Sequence, residues 1–422
     1  MKKILIISPH FPPSNLTGVH RARLFANHLA DYGWQPVILT VDEHYYEEAL
    51  DYELLKLLPQ GLRIEKVKAL PAGRPRLIGD IGLRGFMPLY RRAKQLIRSE
   101  NIDFLYIPIP SFYAALLGRW LHRSTGIRYG IDYIDPWVHQ FPGSTKKLSR
   151  AYLSTLLARF LEPIAVKKAS LITGVADGYY QGVFERNPHL TDQCIVGAMP
   201  YGGERRDHEK LLEVAKQPYL FKSTPGKHVL VYAGTLLPRA FEPLEAVLQA
   251  IADDPAAYRD LELHFIGSGK IFDDPNSFQV KALAEKYGLW ENIVFEYPKR
   301  IPYLDVLVHL DAADGIFILG STEPHYTPSK LYQGVLAGKP ILAVLHQASE
   351  AIQILRASRA GVALTFDGQT PFTIKNDWPA AYRQFDSLRR TFTPEIVDTT
   401  LFDRYSASAV TARLAELLNR IP

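Results

Sequence analysis

The chain has 422 residues, of which 47% are hydrophobic and 22% charged, and both fractions lie near the averages of globular proteins. This composition excludes disordered and collagen-like chains. At about 100–200 residues per domain, the length predicts two or three domains, with two the default for an α/β chain. A single cysteine, Cys194, excludes an intrachain disulfide and a cysteine-rich zinc site, and it favours a reducing compartment.

The net charge of +5 is unevenly distributed along the chain. The first 200 residues hold 25 basic and 17 acidic residues, whereas the remainder holds 24 and 27. A basic first half indicates an anionic partner such as a phospholipid surface, a lipid phosphate or a polyanion. A solvated basic face explains the same excess equally well.

The N-terminus does not resemble a signal peptide. Its apolar run, residues 4–7, is followed by prolines and is shorter than the apolar core of about 7–15 residues that such peptides need. The longest uncharged run, 104–118, is shorter than the roughly 20 residues of a membrane-spanning helix. We therefore predict a cytoplasmic protein, with peripheral contact at the inner face of the membrane as an open alternative.

The first half alternates between strand-like and helix-like patterns. An apolar, β-branched strand at 3–8, a loop at 10–18, a helix at 19–32 and a strand at 36–41 form a βαβ unit with a ligand loop after its first strand. Further predicted strands are 62–67, 103–107, 127–133 and 170–175, and further predicted helices are 88–99, 111–124, 145–168 and 177–184.

A polar, turn-rich stretch near 200–227 separates a second series of the same kind. Its predicted strands are 228–232, 261–266, 293–296, 315–319 and 340–344, and its predicted helices are 243–253, 278–287, 302–312, 329–337 and 406–420. The sequence thus predicts two doubly wound parallel-sheet domains. Because such sheets bind ligands outside the carboxyl ends of their strands, we expect the active site in a cleft between the domains.

Two loops of the first domain are candidate sites. Gly18 lies where a loop becomes a helix, so that backbone amides there can approach a phosphate, although an ordinary turn is equally consistent. Asp132 and Asp135 lie at the end of a predicted strand, where carboxylates can accept hydrogen bonds from sugar hydroxyls or deprotonate an acceptor. The adjacent Trp137 is expected to be a packing residue.

Two loops of the second domain also suit a phosphate. In the first, Gly234 and Thr235 offer backbone and hydroxyl donors, and Arg239 can hold a phosphate with two parallel hydrogen bonds. In the second, Gly267 and Ser268 begin a Gly-Ser-Gly-Lys segment, which by itself is often only a turn. The two loops on successive strands are stronger evidence than either alone.

The segment 323–340 carries the most weight. Thr327 or Ser329 can cap a helix that begins near Ser329, and Lys330 adds a full positive charge at the amide-rich helix start. An anion gains only about 0.3–2 kcal/mol from such a helix end, so this end orients a diphosphate rather than binding it alone.

The stretch TPSKLYQGVLAGKPILAV resembles the nucleotide-sugar site of GT-B fold glycosyltransferases, especially glycosyltransferase family 4. The opening ILIISPHFPPSNLTGVHRARLFANHLADYGWQPVILT and the segments IDYIDPW, VLVYAGTL, LHFIGSG and NIVFEYPKRIPYLDVLVHLDAADGIFIL extend the likeness over nearly the whole chain. Each match is loose, but the order and spacing of the set are fairly specific.

The resemblance implies two Rossmann-like domains facing across a cleft. The acceptor domain would comprise residues 1–205 with a C-terminal helix of about 396–422 crossing back, and the domain that binds the nucleotide sugar would comprise 206–395. The resemblance further implies transfer with retention from a UDP- or GDP-sugar to a glycan or lipid-linked acceptor in cell-envelope or polysaccharide biosynthesis. Neither a metal, another cofactor nor a nucleic-acid partner is expected.

Carried over by position, the resemblance assigns roles to individual residues. Asp132 would face the transferred sugar or the acceptor, Lys299 would flank the base, and Gln333 would reach the ribose. The positions that would contact the donor phosphates are Gly18, Gly234, Thr235, Arg239, Ser329, Lys330 and Leu331.

The chain departs from the family at its paired glutamates and in the second-domain loop, where the family's usual Arg…Lys pair is reduced to Arg239. The family's paired glutamates, seven residues apart, fall on His325 and Gln333, so that a ring able to donate and a neutral amide replace two carboxylates. Glu323, two residues before His325, could substitute for the first of them. A glycosyltransferase, a non-catalytic or atypical-donor binding protein, and a nucleotide-sugar epimerase therefore stay open.

A membrane surface is a separate hypothesis. A predicted basic helix near 83–98 places arginines and a lysine beside apolar residues, as expected for a helix lying on an anionic bilayer. A helix packed on the sheet with a wet basic face is at least as consistent. The residues concerned are Arg84, Arg91, Arg92, Lys94 and Arg98, with Leu83, Phe86, Met87, Leu89 and Leu96.

Overall fold

The computed structural model describes residues 1–73, 79–138, 149–222, 224–324, 328–370 and 372–422. The chain divides into two compact units, Met1–Tyr201 with Ala407–Pro422, and Gly202–Ser406. The sequence predicted the domain boundary after residue 205, whereas the first unit ends four residues earlier, at Tyr201. The C-terminal segment was predicted to return to the first unit at about 396, whereas it does so about eleven residues later, at Ala407.

The first unit is built on a sheet of seven parallel strands in the order β3-β2-β1-β4-β5-β6-β7. The central strands are apolar because helices cover both faces of the sheet. Their bounds are β1 Lys2–Ile7, β2 Trp34–Val41, β3 Arg63–Val67, β4 Phe104–Ile109, β5 Tyr129–Tyr133, β6 Leu171–Gly174 and β7 Ile195–Ala198. The edge strand β7 is short, and the sequence analysis did not predict it.

Among the described residues of Met1–Tyr201, six helices follow these strands. They are α1 Val19–His28, α2 Ile81–Arg84, α3 Phe86–Glu100, α4 Ala115–Thr125, α5 Arg150–Val166 and α6 Asp177–Arg186. The predicted helix at 145–168 corresponds to α5 from residue 150 onward, and its residues 145–148 lie outside the described residues.

The second unit has six parallel strands in the order β10-β9-β8-β11-β12-β13. Their bounds are β8 His228–Ala233, β9 Leu261–Ile266, β10 Val294–Tyr297, β11 Gly315–Leu319, β12 Ile341–His346 and β13 Gly361–Phe366. The remaining helices are α7 Arg205–Glu213, α8 Phe241–Asp253, α9 Lys281–Lys286, α10 Tyr303–Ala312, α11 Lys330–Leu336, α12 Ala351–Ser358, α13 Thr373–Thr391, α14 Thr399–Asp403 and α15 Ala407–Asn419, the last of which belongs to the first unit.

Two parts of this unit differ from the sequence analysis. The polar stretch that was predicted as a turn-rich boundary contains α7, so the prediction of a loop there was wrong. Helix α12, strand β13 and helix α13 were not predicted from the sequence. The buried residues of α13 nevertheless recur at helical spacing: Ile374, Trp378, Tyr382 and Phe385.

Alternate residues of β1 enter two separate cores of the first unit. Leu5 and Ile7 pack with α3, α4 and α5, whereas Ile4 and Ile6 pack with α1 and α15. Because successive side chains of a strand point to opposite faces, α3, α4 and α5 form one helical layer, and α1 and α15 form the other. The C-terminal helix therefore completes the core of the first unit.

The strand orders locate the ligand edge of each sheet. In the first sheet β1 lies between β2 and β4, and in the second β8 lies between β9 and β11, so the chain reverses its direction of progress beside β1 and β8. The carboxyl ends of strands at such reversals open a crevice for ligands. Among the described helices, none has the length and apolar character needed to cross a bilayer.

Candidate functional site

The carboxyl end of β8 is shaped by a glycine. Gly234 has φ +113°, a conformation that side chains disfavour. A Cβ atom at this position would also lie 2.5 Å from Cε of Lys330. Gly234 therefore lets the Lys330 side chain, which comes from the start of α11, lie directly against the end of the strand.

Lys330 is held over β8 by an aromatic ring and a hydroxyl. Its Nζ donates to the Tyr232 hydroxyl at 3.3 Å and lies 4.8 Å from the centre of that ring. The Tyr232 hydroxyl in turn donates to the carbonyl oxygen of Thr235 at 3.1 Å. This chain of contacts fixes the ammonium beside the loop that follows β8.

The ammonium of Lys330 lies in a positively charged and poorly solvated place. Burial and, to a smaller extent, the nearby charge of Arg300 lower the pKa of Lys330 to about 8. Within the part of the chain that the structure describes, no carboxylate lies within ion-pair distance of Lys330. The Thr235 hydroxyl beside it is buried and has no hydrogen-bond partner there either.

We call Gly234, Thr235, Arg300 and Lys330 the Lys330 cluster. It combines two cations, an unused hydroxyl and a strand end that carries no side chain at Gly234. A phosphate would neutralise the charges, accept from the hydroxyl and fit beside the glycine. Arg300, in the loop that follows β10, was not predicted as a site residue, and only the sheet order brings it near β8.

Other predicted donor-binding residues lie around this cluster. Arg239 is exposed, and its guanidinium lies 3.8 Å from Glu323. The Gln333 side-chain oxygen lies 2.9 Å from Nε2 of His208 on α7. That contact leaves the two amide protons of Gln333 for a ligand.

The start of α11 is less open than the sequence suggested. Ser329 makes no capping hydrogen bond, and Leu331 is fully buried with its amide donating to the Pro328 carbonyl at 3.1 Å. The predicted site residues His325 and Thr327 lie outside the described residues.

Hydrogen-bond donors of the Gly267–Lys270 loop are used within the protein. The amides of Gly267, Gly269 and Lys270 donate to backbone carbonyls of neighbouring segments, and the Ser268 hydroxyl donates to the buried Glu296 at 2.7 Å. Glu296 also accepts amides from the segment that begins α9. This loop therefore acts as a structural turn beside the cluster, while Lys299 in the next loop is exposed.

In the first unit, Asp132 is a buried ion-pair partner. Its carboxylate is fully inaccessible and accepts two hydrogen bonds from Arg21, at 2.7 and 3.1 Å, and one from Thr173 at 2.8 Å. Arg21 also donates to the Pro200 carbonyl. The pair joins α1 to β5, which is a structural task; the predicted contact with a sugar is untested.

The other predicted residues of the first unit have different surroundings. Gly18 precedes α1, and a Cβ there would lie 3.0 Å from the ring of Pro110, so close packing accounts for the glycine. Asp135 is exposed just beyond β5. Trp137 is buried and stacks on Phe112 with ring centres 6.0 Å apart, which confirms its predicted packing role.

A titratable group at the carboxyl end of β1 was not predicted. The Nδ1 atom of His10 lies 2.8 Å from Glu48, whose carboxylate also accepts from the Ser14 hydroxyl. Nearby, Asp80 accepts from the Ser111 hydroxyl, and burial raises the pKa of Asp80. We call His10, Glu48 and Asp80 the His10 group. Only folding joins these residues, since they lie in three separate loops.

No cluster of metal-ligating side chains is found in the portion of the chain described by the structure. The donor set of the Lys330 cluster, two cations and a hydroxyl, suits an anion and not a metal ion.

Comparisons with known proteins agree with this architecture. No family model matches the chain, and no curated protein matches its sequence. Among solved structures, the Anabaena protein HepE in complex with UDP and glucose is 15% identical with a TM-score of 0.63, and the match covers 99% of this chain and 100% of that one.

Two further structures match over the full length. Sucrose-phosphate synthase from Thermosynechococcus elongatus is 14% identical with a TM-score of 0.64, covering 100% of this chain and 99% of that one. A UDP-forming α,α-trehalose-phosphate synthase from Burkholderia xenovorans is 11% identical with a TM-score of 0.66 and the same coverage. The chain thus has the GT-B fold, with two Rossmann-like domains, as predicted.

Removing the Asp132 carboxylate tests its structural role. We expect Asp132→Ala to lower the free energy of unfolding by about 3–5 kcal/mol, because Arg21 would be left as a buried charge without its partner. Urea denaturation measures this, and Asp192→Ala, at an exposed position of the same unit, should change the free energy of unfolding by no more than about 0.5 kcal/mol. Lost turnover with an unchanged unfolding free energy would instead assign Asp132 to catalysis.

Proposed function

We propose that this chain is a glycosyltransferase that takes a sugar from a nucleoside-diphosphate sugar, with a UDP-sugar favoured over a GDP-sugar as donor. The observation that carries the proposal is the Lys330 cluster, in which two neighbouring cations and a free hydroxyl line the carboxyl edge of the second sheet. The structural neighbours HepE, solved with UDP and glucose, and the UDP-forming trehalose-phosphate synthase support UDP as the nucleotide.

The cluster supplies what the leaving diphosphate requires. Charge develops on the β-phosphate as the glycosidic bond breaks, and fixed cations stabilise that charge without a metal. Lys330 is already positioned by Tyr232, so little reorganisation is needed when the anion forms. Gln333 can donate its amide protons to the ribose as a neutral substitute for the family's glutamate.

The acceptor side of the proposal rests on the first unit. The His10 group lies at the carboxyl end of β1, where that sheet binds ligands. The Glu48 carboxylate lies 2.8 Å from Nδ1 of His10, so it occupies that side of the ring. A carboxylate against Nδ1 would fix the tautomer of the ring and leave Nε2 to act on a sugar or acceptor hydroxyl.

The finer points of the proposal follow the family resemblance. We propose retention of anomeric configuration, no metal or other cofactor, a glycan or lipid-linked acceptor, and a place in cell-envelope or polysaccharide biosynthesis in the cytoplasm. Family 4 is the proposed affiliation. What supports these points is the order of motifs along the sequence, together with the donor set of the Lys330 cluster.

Binding and turnover with a panel of UDP-, GDP- and ADP-sugars test the proposal. We expect calorimetry to show binding of at least one UDP-sugar, and product analysis to show sugar transfer that persists in EDTA. Binding of no nucleotide sugar would contradict the proposal. Binding without transfer to any acceptor would indicate a non-catalytic protein, and a changed sugar or released UDP without an acceptor would indicate an epimerase.

The lowered pKa of Lys330 predicts how UDP binding depends on pH. Lys330 is mostly protonated at pH 7 and mostly neutral at pH 9, because its pKa is about 8. An anion prefers the protonated form, so the Kd for UDP should rise by up to about tenfold between these pH values. Calorimetry at both pH values measures this change.

Matched variants identify the group that titrates. Lys330→Arg keeps its charge throughout and should remove the pH dependence, whereas Lys330→Met should bind UDP weakly at both pH values. Lys227→Met, at the opposite end of β8, should behave as the unmodified chain does. An unmodified chain whose Kd is the same at pH 7 and pH 9 would contradict the role of Lys330.

The His10 group predicts a variant that separates donor binding from turnover. His10→Ala should lower kcat about 100-fold, because a positioned imidazole is lost, while the Kd for the donor stays within about twofold. Steady-state kinetics and calorimetry measure the two quantities. His44→Ala, in the loop after β2 and 85% exposed, is the matched control. Equal losses of donor affinity and turnover would contradict an acceptor-side role for His10.

A further inference from the structure

Helix α5 exposes an apolar stripe to solvent. Five large apolar side chains on this one helix are exposed, the most open being Phe160 at 68%. They recur at spacings of three or four residues: Leu153, Leu156, Leu157, Phe160 and Ile164. Isolated exposed apolar residues are ordinary, whereas a contiguous row of them marks an interaction surface.

The stripe points away from the unit to which α5 belongs. The buried residues of α5 are Ala158, Glu162, Ala165 and Val166. At 100° per residue, their mean direction lies opposite that of the stripe. The helix therefore packs on its neighbours through small side chains and presents its large apolar ones outward.

The residues that surround the stripe are basic. Arg150, Arg159, Lys167 and Lys168 are all exposed on or directly after α5. The sole acidic residue of the helix, Glu162, is buried and pairs with Arg186 at 2.8 Å. No negative charge of α5 is thus available at its outer surface.

The neighbouring helices of the same layer continue this charge pattern. On α4, Arg123 is exposed beside the half-exposed Trp120, and α4 contains no acidic residue. On α3, Arg91 and Arg98 are exposed, and its one acidic residue, Glu100, pairs with Arg63. The exposed charges of α3, α4 and α5 are therefore positive around the apolar stripe, whereas α6, which meets α5 through the Arg186–Glu162 pair, adds the exposed Asp177 and Glu185.

We propose that α5 seats this protein on an anionic phospholipid bilayer, with the stripe entering the headgroup region and the cations contacting lipid phosphates. A helix with an apolar outer face and a basic rim binds such interfaces by burying apolar area and by electrostatic attraction to anionic lipids. A second copy of the chain fits less well, because a two-fold contact through α5 would bring two positive rims together.

This surface differs from the one expected from the sequence. In the predicted basic helix near 83–98, Arg84 is buried and donates to the carbonyls of Leu70 and Tyr45, and Arg92 is bonded to Glu65. Its apolar residues Leu89 and Leu96 belong to the core. That segment mainly packs on the sheet, so the membrane contact is assigned to α5.

Co-sedimentation with vesicles tests the proposal without any nucleotide, so its outcome is independent of the proposed activity. We expect the full-length protein to bind vesicles of phosphatidylcholine with about 30% phosphatidylglycerol, and to bind pure phosphatidylcholine far less. The double variant Leu156→Gln/Phe160→Gln should lower the partition coefficient about tenfold or more. Lys167→Gln and Lys168→Gln should each lower it about fivefold, the equivalent of about 1 kcal/mol per cation.

Controls come from exposed residues of the second unit. Leu212→Gln, at a leucine that is 90% exposed on α7, and Arg259→Gln, at an 80% exposed arginine, should bind as the unmodified protein does. Thermal unfolding of every variant separates lost binding from lost folding. Failure of the folded protein to bind anionic vesicles at low salt would overturn the proposal. So would a dimer in light scattering that the stripe variants abolish, since a second copy would then occupy the stripe.

Discussion

The position of the Lys330 ammonium is the constraint from which the donor site follows. A lysine that is only partly exposed gives up much of its hydration, and the lowered pKa records that cost. The Tyr232 ring and hydroxyl offset part of this loss of hydration, but neither group carries a negative charge. The positive charge of Arg300 repels the Lys330 ammonium and so adds to the cost. This arrangement persists because the fold imposes it. A bound diphosphate would offset both the lost hydration of Lys330 and its repulsion from Arg300, which adds to the direct attraction between the charges.

The buried pair of Arg21 and Asp132 contrasts with this cluster. Both groups are charged and buried, but each satisfies the other, with Thr173 and the Pro200 carbonyl completing the set. A buried charge whose hydrogen bonds are all made within the protein has little capacity to bind a ligand. Removal of one member of the pair leaves the other as a buried charge without a partner. A buried charge at the carboxyl edge of a sheet therefore serves folding where its counter-charge is present, as at Asp132, and stays available to an anion where none lies within reach in the described residues, as at Lys330.

Sequence patterns sufficed for the two-sheet architecture, because buried parallel strands are continuously apolar and their helices have a period of 3.6. They also predicted Gly234, Thr235 and Lys330 as donor-binding residues from loops at strand ends, and the structure brings these three residues together. They did not reveal that the amides of Gly267, Gly269 and Lys270 donate to backbone carbonyls of the protein itself. Nor did they reveal that the charge of Arg300 lies near Lys330, because both arrangements depend on the sheet order. The His10 group was missed for the same reason: its members are joined by tertiary packing and by no shared motif. The exposure of the α5 stripe was equally invisible, because an apolar helical face predicts burial.

The two proposed anion contacts act through electrostatics of different range. The Lys330 cluster lies in the half of the chain whose formal charge is negative, so its attraction for phosphate is local and arises from desolvated groups within a few ångströms. The α5 surface belongs to the basic half, and its exposed cations act through solvent over the Debye length of about 8 Å at physiological ionic strength. Salt screens exposed charges far more than buried ones. Rising ionic strength should therefore release the α5 surface from lipid before it weakens the hold of the cluster on a nucleotide.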